Sequence, residues 1–138
     1  MWAKLDAAKA PKPKYDLGGR YIEVSVTHQV LYYVVDGKVD RVLDASTGHE
    51  QWFEVDGEMR LGHTARGSFQ IYKQIPGWNM SSVGGMYDSS FFIGREAIHG
   101  YPEVPPYPAS HGCVRVTIDS IGRLWPEMTM GLRVFIYD

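Results

Sequence analysis

The chain has 138 residues, 44% hydrophobic and 22% charged, with 14 basic against 16 acidic side chains. That length suits one domain, which buries its core without metals or disulfide staples. A net charge of −2 excludes the basic footprint of a nucleic-acid binder, and a single cysteine excludes an internal disulfide or a zinc ribbon of paired CxxC motifs.

Residues 1–19 read as a linker or the remnant of an upstream module. Lys4, Lys9, Lys12 and Lys14 alternate with Ala, then with Pro11 and Pro13, and Gly18-Gly19 closes the stretch. Prolines break helices and glycines free the chain, so no stable element is expected there. Met1–Asp6 carries no signal peptide and no run of 18 apolar residues follows, so no membrane span is expected. Read literally the chain is cytoplasmic; read as a piece of an exported protein, its export signal lies upstream.

From residue 20 to 138 the pattern is that of one folded domain. Tyr21–Val26 alternates with period two. Val30–Val35, Asp36-Gly37 and Val39–Leu43 form a hairpin signal. Ala45-Ser46-Thr47-Gly48 reads as a turn and Ser68–Lys73 as a strand. Pro76-Gly77 and Gly84-Gly85 bracket an aromatic stretch, which reads as a long excursion over the core at about residues 73–90. Phe91–Ile93, Ala97–His99 and Cys113–Val116 read as short strands. Thr117 offers an N-cap, with Ile118, Ile121, Leu124, Trp125 and Met128 on one helical face. Leu132–Tyr137 is a terminal strand. The fold class is mainly β with one clear helix near the C-terminus.

Chemistry concentrates at His99-Gly100 and Ser110-His111-Gly112-Cys113-Val114-Arg115. Cys113 is open to three readings: a buried core thiol, a lone metal ligand or a nucleophile. A thiol attacks as thiolate and needs a base or a positive neighbour. His111 lies two residues away, but a tight turn through Gly112 would swing it off the shared face. His99 faces Cys113 if the two segments pair, which makes it the better base. Successive N–H groups around Gly112 would suit an oxyanion hole. The metal alternative is a zinc held by His99, His111 and Cys113. Four prolines between His99 and Ser110 either stiffen the pair's support or form an exposed turn. His28, His49 and His63 fall in predicted turns, with structural or surface roles. Trp78, Met80, Met86 and Tyr87 pack in the core or cover a substrate.

The His99-Gly100 and Ser110–Arg115 segments resemble the signature of L,D-transpeptidases of the YkuD type. Gln29–Gly37 is similar to that family's first hairpin, Ser46-Thr47-Gly48 to its Ser-Thr-Gly turn, and Thr64–Phe69 to its Thr-Pro-x-Gly segment, with Ala65 where proline is usual. The resemblance implies a β-sandwich-like catalytic domain over 20–138. It implies attack on a peptidoglycan stem tetrapeptide, release of D-alanine and formation of a 3-3 type crosslink to an acceptor amine. Water in place of the amine would give an L,D-carboxypeptidase, and an inert thiol a non-catalytic wall-binding module. Cys113 would be the nucleophile, His99 the base and the Gly100 carbonyl its orienting group. Backbone N–H groups of His111, Gly112 and Cys113 would form the oxyanion hole. Ser110, Arg115 and Tyr87 would contact substrate. No cofactor or metal is implied. The implied partners are donor and acceptor stem peptides, with carbapenem adducts at Cys113, and the implied location is outside the cytoplasm.

Overall fold

The computed structural model describes residues 2–4 and 12–138. The strands are β1 (Trp2–Lys4), β2 (Arg20–Ser25), β3 (Val30–Val35), β4 (Lys38–Asp44), β5 (Trp52–Val55), β6 (Glu58–Leu61) and β7 (Gly67–Gln70). They continue as β8 (Lys73–Ser81), β9 (Gly84–Ile93), β10 (Glu96–Gly100), β11 (Val114–Val116) and β12 (Arg133–Tyr137), with helix α1 (Ile118–Leu124) before the last. One sheet has the order β1-β4-β3-β2-β12-β7 and a second the order β11-β10-β9-β8, while β5 and β6 pair as a separate hairpin. The fold is the expected mainly β sandwich with one helix near the C-terminus.

Apolar alternation builds the core between the two sheets. Ile22, Val24 and Leu31 of the first sheet and Ile98, Val114 and Val116 of the second are all fully buried in one cluster. Ile121 and Leu124 of α1 close it. The Thr117 hydroxyl caps α1 by accepting from the Ser120 N–H at 3.1 Å. The helix ends at Leu124, earlier than its apolar face suggests. Pro126 has no N–H to extend the ladder, and Trp125–Glu127 tighten into a 3-10 turn. At the β3–β4 turn Asp36 and Gly37 take φ of 48° and 76°, the paired left-handed conformations of a tight hairpin.

Four readings from the sequence are corrected. The strand expected over Ser68–Lys73 is two strands in different sheets. The chain crosses at Ile71, whose N–H donates to Leu132 O at 3.0 Å, while the next residue, Tyr72, donates to Phe91 O. The excursion at 73–90 is the antiparallel β8–β9 hairpin, with a register shift between Ile75 and Trp78, and Phe91–Ile93 is its last part. Trp52–Leu61 forms the β5–β6 hairpin, which the sequence reading left without an element. Asp56-Gly57 at its turn is the same dipeptide signal that marks the β3–β4 hairpin.

The fourth correction concerns the expected linker, whose residues 5–11 lie outside the described ones. Trp2–Lys4 pairs with Leu43–Arg41 of β4. Residues 14–17 dock on the outer face of the first sheet, where the Tyr15 ring lies 4.7 Å from Phe135. Glu23, fully buried, organises this contact. Its carboxylate accepts from the N–H groups of Lys14 and Tyr15, each at 2.8 Å, and from the Tyr137 hydroxyl at 2.7 Å. Burial and the neighbouring Glu23 charge push the Tyr137 hydroxyl pKa up, so Tyr137 remains a donor. Glu23→Ala would orphan three donors and should lower unfolding free energy by about 2–4 kcal/mol in chemical denaturation.

Candidate active site

Strand pairing decides which side chains meet. β10 and β11 run parallel with Ile98 opposite Val114 and His99 opposite Arg115. One step earlier, Cys113 stands level with Ala97. Alternation points Ile98 and Val114 into the core, so Ala97, His99, Cys113 and Arg115 share the outer face. Cys113 is half-buried there and packs with Met86, Phe91 and Ala97. His99, Cys113 and Arg115 all line a cavity of about 610 Å³. Its walls include the tips of both hairpins, β5–β6 and β8–β9. At those tips the Ser82 hydroxyl donates to Asp56 Oδ2 at 2.6 Å.

His99 is buried, and its Nδ1 lies 2.9 Å from Gly100 O. A carbonyl only accepts, so Nδ1 carries the proton and Nε2 keeps the free lone pair. Burial first, then the Arg115 charge, lower the imidazole pKa from 6.5 to about 4. The ring is therefore neutral at pH 7. Burial raises the Cys113 thiol to about 11, with the Glu96 charge adding to the rise. The thiol donates to Arg95 O at 3.6 Å. The resting pair is thus a neutral thiol and a neutral imidazole, not an ion pair.

The loop before Cys113 is held from three sides. Gly112 has φ of +138°, and a Cβ there would lie 3.2 Å from His63 O; only glycine suits both conditions. The buried Thr64 hydroxyl donates to Gly112 O at 2.7 Å and accepts from the Gly48 N–H at 2.8 Å. Ser46 and Arg115 exchange backbone hydrogen bonds at 2.9 Å, and His49 N donates to Ser110 O at 2.8 Å. The Ser-Thr-Gly turn is therefore a brace for the cysteine loop. The Ser46 hydroxyl donates to Tyr107 O at 2.8 Å, pinning the proline-rich connection to the same turn.

Several expected site residues stand elsewhere than the sequence reading put them. The Ser110 hydroxyl is 1% exposed; it donates to Cys113 O and accepts from the Gly112 N–H at 3.2 Å. The hydroxyl ties the loop while the residue still borders the cavity, and the Gly112 N–H is already committed to that hydroxyl. Tyr87 packs against the core and Trp78 rather than lining the cavity. Tyr101 takes a place there: the Arg115 guanidinium lies 4.1 Å over its ring. The His111 ring turns away to Phe53, at 4.6 Å, and His49, at 5.2 Å. Among the described residues no three His, Cys, Asp or Glu side chains are grouped to hold a metal ion, so the zinc alternative lacks a ligand set.

Sequence reasoning missed Thr64, Tyr101, His63 and Glu96. Thr64 sat in a segment whose resemblance was noted without a role. Glu96 opens the strand that carries His99 and Tyr101 follows it, which is the available signal. His63 was assigned a surface role. It is exposed, yet it lines the cavity and its Nδ1 pairs with Glu50 at 2.7 Å.

A two-sheet β fold with a thiol, a neutral imidazole and a buried guanidinium on one sheet face defines the class. The family model of the YkuD L,D-transpeptidase catalytic domain matches residues 19–136, and the chain belongs to that family. It is similar to an L,D-transpeptidase structure from Xylanimonas cellulosilytica, with 37% identity and a TM-score of 0.90 over 95% of this chain and 66% of that one. An L,D-transpeptidase from Stackebrandtia nassauensis shares the fold at 23% identity and a TM-score of 0.69, over 96% of this chain and 60% of that one. So does L,D-transpeptidase 3 from Mycobacterium tuberculosis, solved with a faropenem-derived adduct, at 16% identity and a TM-score of 0.70, over 87% of this chain and 60% of that one. The chain thus spans less than two thirds of each. No curated protein is matched.

Two expectations follow. Thr64→Val leaves the Gly48 N–H and Gly112 O unpaired and should cost about 1–3 kcal/mol in denaturant unfolding. His99 binds protons more readily when unfolded, near its ordinary 6.5, than when folded, about 4. Stability from this group is complete above pH 6.5 and is lost as pH falls toward 4. His99→Asn should therefore show a smaller drop in unfolding free energy between pH 7 and pH 4.5 than the parent.

Proposed function

We propose that this chain is a cysteine acyltransferase acting on peptidoglycan stem peptides. One observation carries the reading. Cys113 and His99 share one face of the β10–β11 pair, with the His99 Nδ1 proton given to Gly100 O and its other nitrogen left as a base.

The thiol turns from Arg95 O toward His99 and attacks the carbonyl between the third residue and terminal D-alanine of a donor tetrapeptide. The S–C bond forms as the thiol proton passes to His99 Nε2. The oxyanion is held by backbone N–H groups of His111 and Cys113, and by that of Gly112 once it leaves Ser110 Oγ. The C–N bond breaks as His99 returns the proton to the departing amine. A second stem's amine attacks the thioester, loses its proton to His99 and restores the thiol. The step draws on no metal or cofactor. A β-lactam of the carbapenem type would acylate the same sulfur and stop at that stage.

Arg115 supports this polarity. It is 9% exposed and lines the cavity. Among the described residues no hydrogen bond or ion pair holds its guanidinium, which lies over Tyr101 and feels the Glu103 charge at longer range. A buried, unpaired cation calls for an anion, and the carboxylate of the leaving D-alanine fits. Residues 20–138 serve as the catalytic domain, working outside the cytoplasm where stem peptides are crosslinked. No helix among the described residues is long and apolar enough to cross a membrane.

Incubation with a disaccharide-tetrapeptide, followed by mass analysis, should show D-alanine loss and a 3-3 linked dimer. Cys113→Ala should abolish both, and His99→Ala should slow them by about 10²–10⁴. Release of D-alanine without a dimer would favour the carboxypeptidase outcome. Full activity in Cys113→Ala, or an inert wild type, would reject the reading in favour of a binding module. The kcat/KM profile should lose activity on acidification around the His99 value of about 4, rather than around 6.5.

A further inference from the structure

The β10–β11 register arranges charge along the cavity floor. Cys113 is level with Ala97; His99 and Arg115 lie two steps further along the strands, about 7 Å at the usual parallel rise. Glu96 lies one step before. Simple alternation would bury Glu96 on the core side. The register shifts between Glu96 and Ala97, and Glu96 joins Cys113 in lining the cavity instead. Its Cγ stands 3.8 Å from the position a Cβ would take on Gly112. The thiol therefore sits between a cationic end, Arg115, and an anionic end, Glu96.

Glu96 is only half satisfied. Its Oε1 accepts from the Ala65 N–H at 2.8 Å, and among the described residues no donor bonds its Oε2 and no cation pairs with it. The basic groups whose charge reaches it, His63 and Arg66, have closer partners of their own. His63 pairs with Glu50, at 2.7 Å, and Arg66 with Glu50 and Asp138, at 3.3 and 3.0 Å. The Lys73 ammonium lies 5.1 Å over the Phe91 ring. A half-buried carboxylate with one open oxygen in a substrate cavity is costly to leave unpaired. Burial raises its pKa accordingly.

We propose that Glu96 is a specificity-determining residue that receives a primary ammonium on the acyl part of the substrate. The assignment rests on the acyl-transfer reading above. His99 must protonate the departing amine, so the leaving group lies toward His99 and Arg115. The acyl part then extends past Cys113 in the other direction, where Glu96 is the anion beside the thiol and Asp56, at the cavity wall, is bonded to the Ser82 hydroxyl. Arg115 and Glu96 together orient the substrate by charge before any bond changes.

The test compares two tetrapeptide donors, one with lysine at the third position and one with the neutral, near-isosteric norleucine. Wild-type kcat/KM for D-alanine release should favour lysine by roughly tenfold or more, the size of one charge-assisted hydrogen bond. Glu96→Gln keeps the acceptor for the Ala65 N–H and removes only the charge. It should bring the lysine-to-norleucine ratio close to one, while Glu96→Asp keeps a preference for lysine. A ratio unchanged by Glu96→Gln overturns the proposal. So does a proportional loss on both donors, which would mark Glu96 as a support for the loop. Acylation of wild-type Cys113 by a carbapenem, read as a mass increase, separates the two levels. Acylation with turnover of both donors at equal rates sinks Glu96 alone. Absence of both acylation and turnover sinks the acyl-transfer reading and this one with it.

Discussion

Parallel pairing of two short strands is the constraint on which the site depends. The three residues of β11 could not hold the adjoining Cys113 in place by themselves. Docked beside β10, they set Cys113, His99 and Arg115 on one face, while Val114 and Val116 anchor the strand in the core. The core and the site are two sides of the same alternation. Loss of burial at Val114 would therefore displace the thiol as well as weaken the fold.

That pairing leaves the preceding loop unsupported, and the Ser-Thr-Gly turn supplies the missing partner. Gln29 fixes the turn itself, accepting from the Thr47 N–H at 3.0 Å and donating to the Thr47 hydroxyl at 2.7 Å. Thr64 then joins turn to loop. The hydroxyls of Ser46, Thr64 and Ser110 are all spent on backbone groups. A run of small polar residues around Cys113 serves here as scaffold. The electrostatics agree with this economy. Cys113 and His99 are both held neutral by burial, so no charge is stored at the thiol.

The fold was legible wherever a local rule had no competitor. Period-two runs and the Asp36-Gly37 turn marked β2, β3 and β4 of the first sheet, and Thr117 marked the helix start. Legibility failed where long-range pairing overrode local pattern. Ser68–Lys73 reads as one strand, yet its two halves satisfy their backbone groups in different sheets. Within the site, the motif pointed to Cys113, His99 and Gly100 because their chemistry is distinctive. Thr64, Tyr101 and Glu96 are common residue types whose importance comes from where tertiary contacts put them. Ser110 shows the converse: its place in the motif suggested substrate, and its burial shows a tie.

The docking of residues 14–17 has a mechanical consequence. Those residues are fastened through Glu23 to the outer face of the first sheet, whereas the cavity opens on the outer face of the second. A pull from the N-terminal side would load the β1–β4 ladder and, behind it, the hydrogen bonds at Glu23 and the Tyr15–Phe135 contact, all of them on the first sheet. The core between the sheets separates that load from β10 and β11. The clamp works as strain relief, so the catalytic geometry is insulated from tension at the N-terminal side.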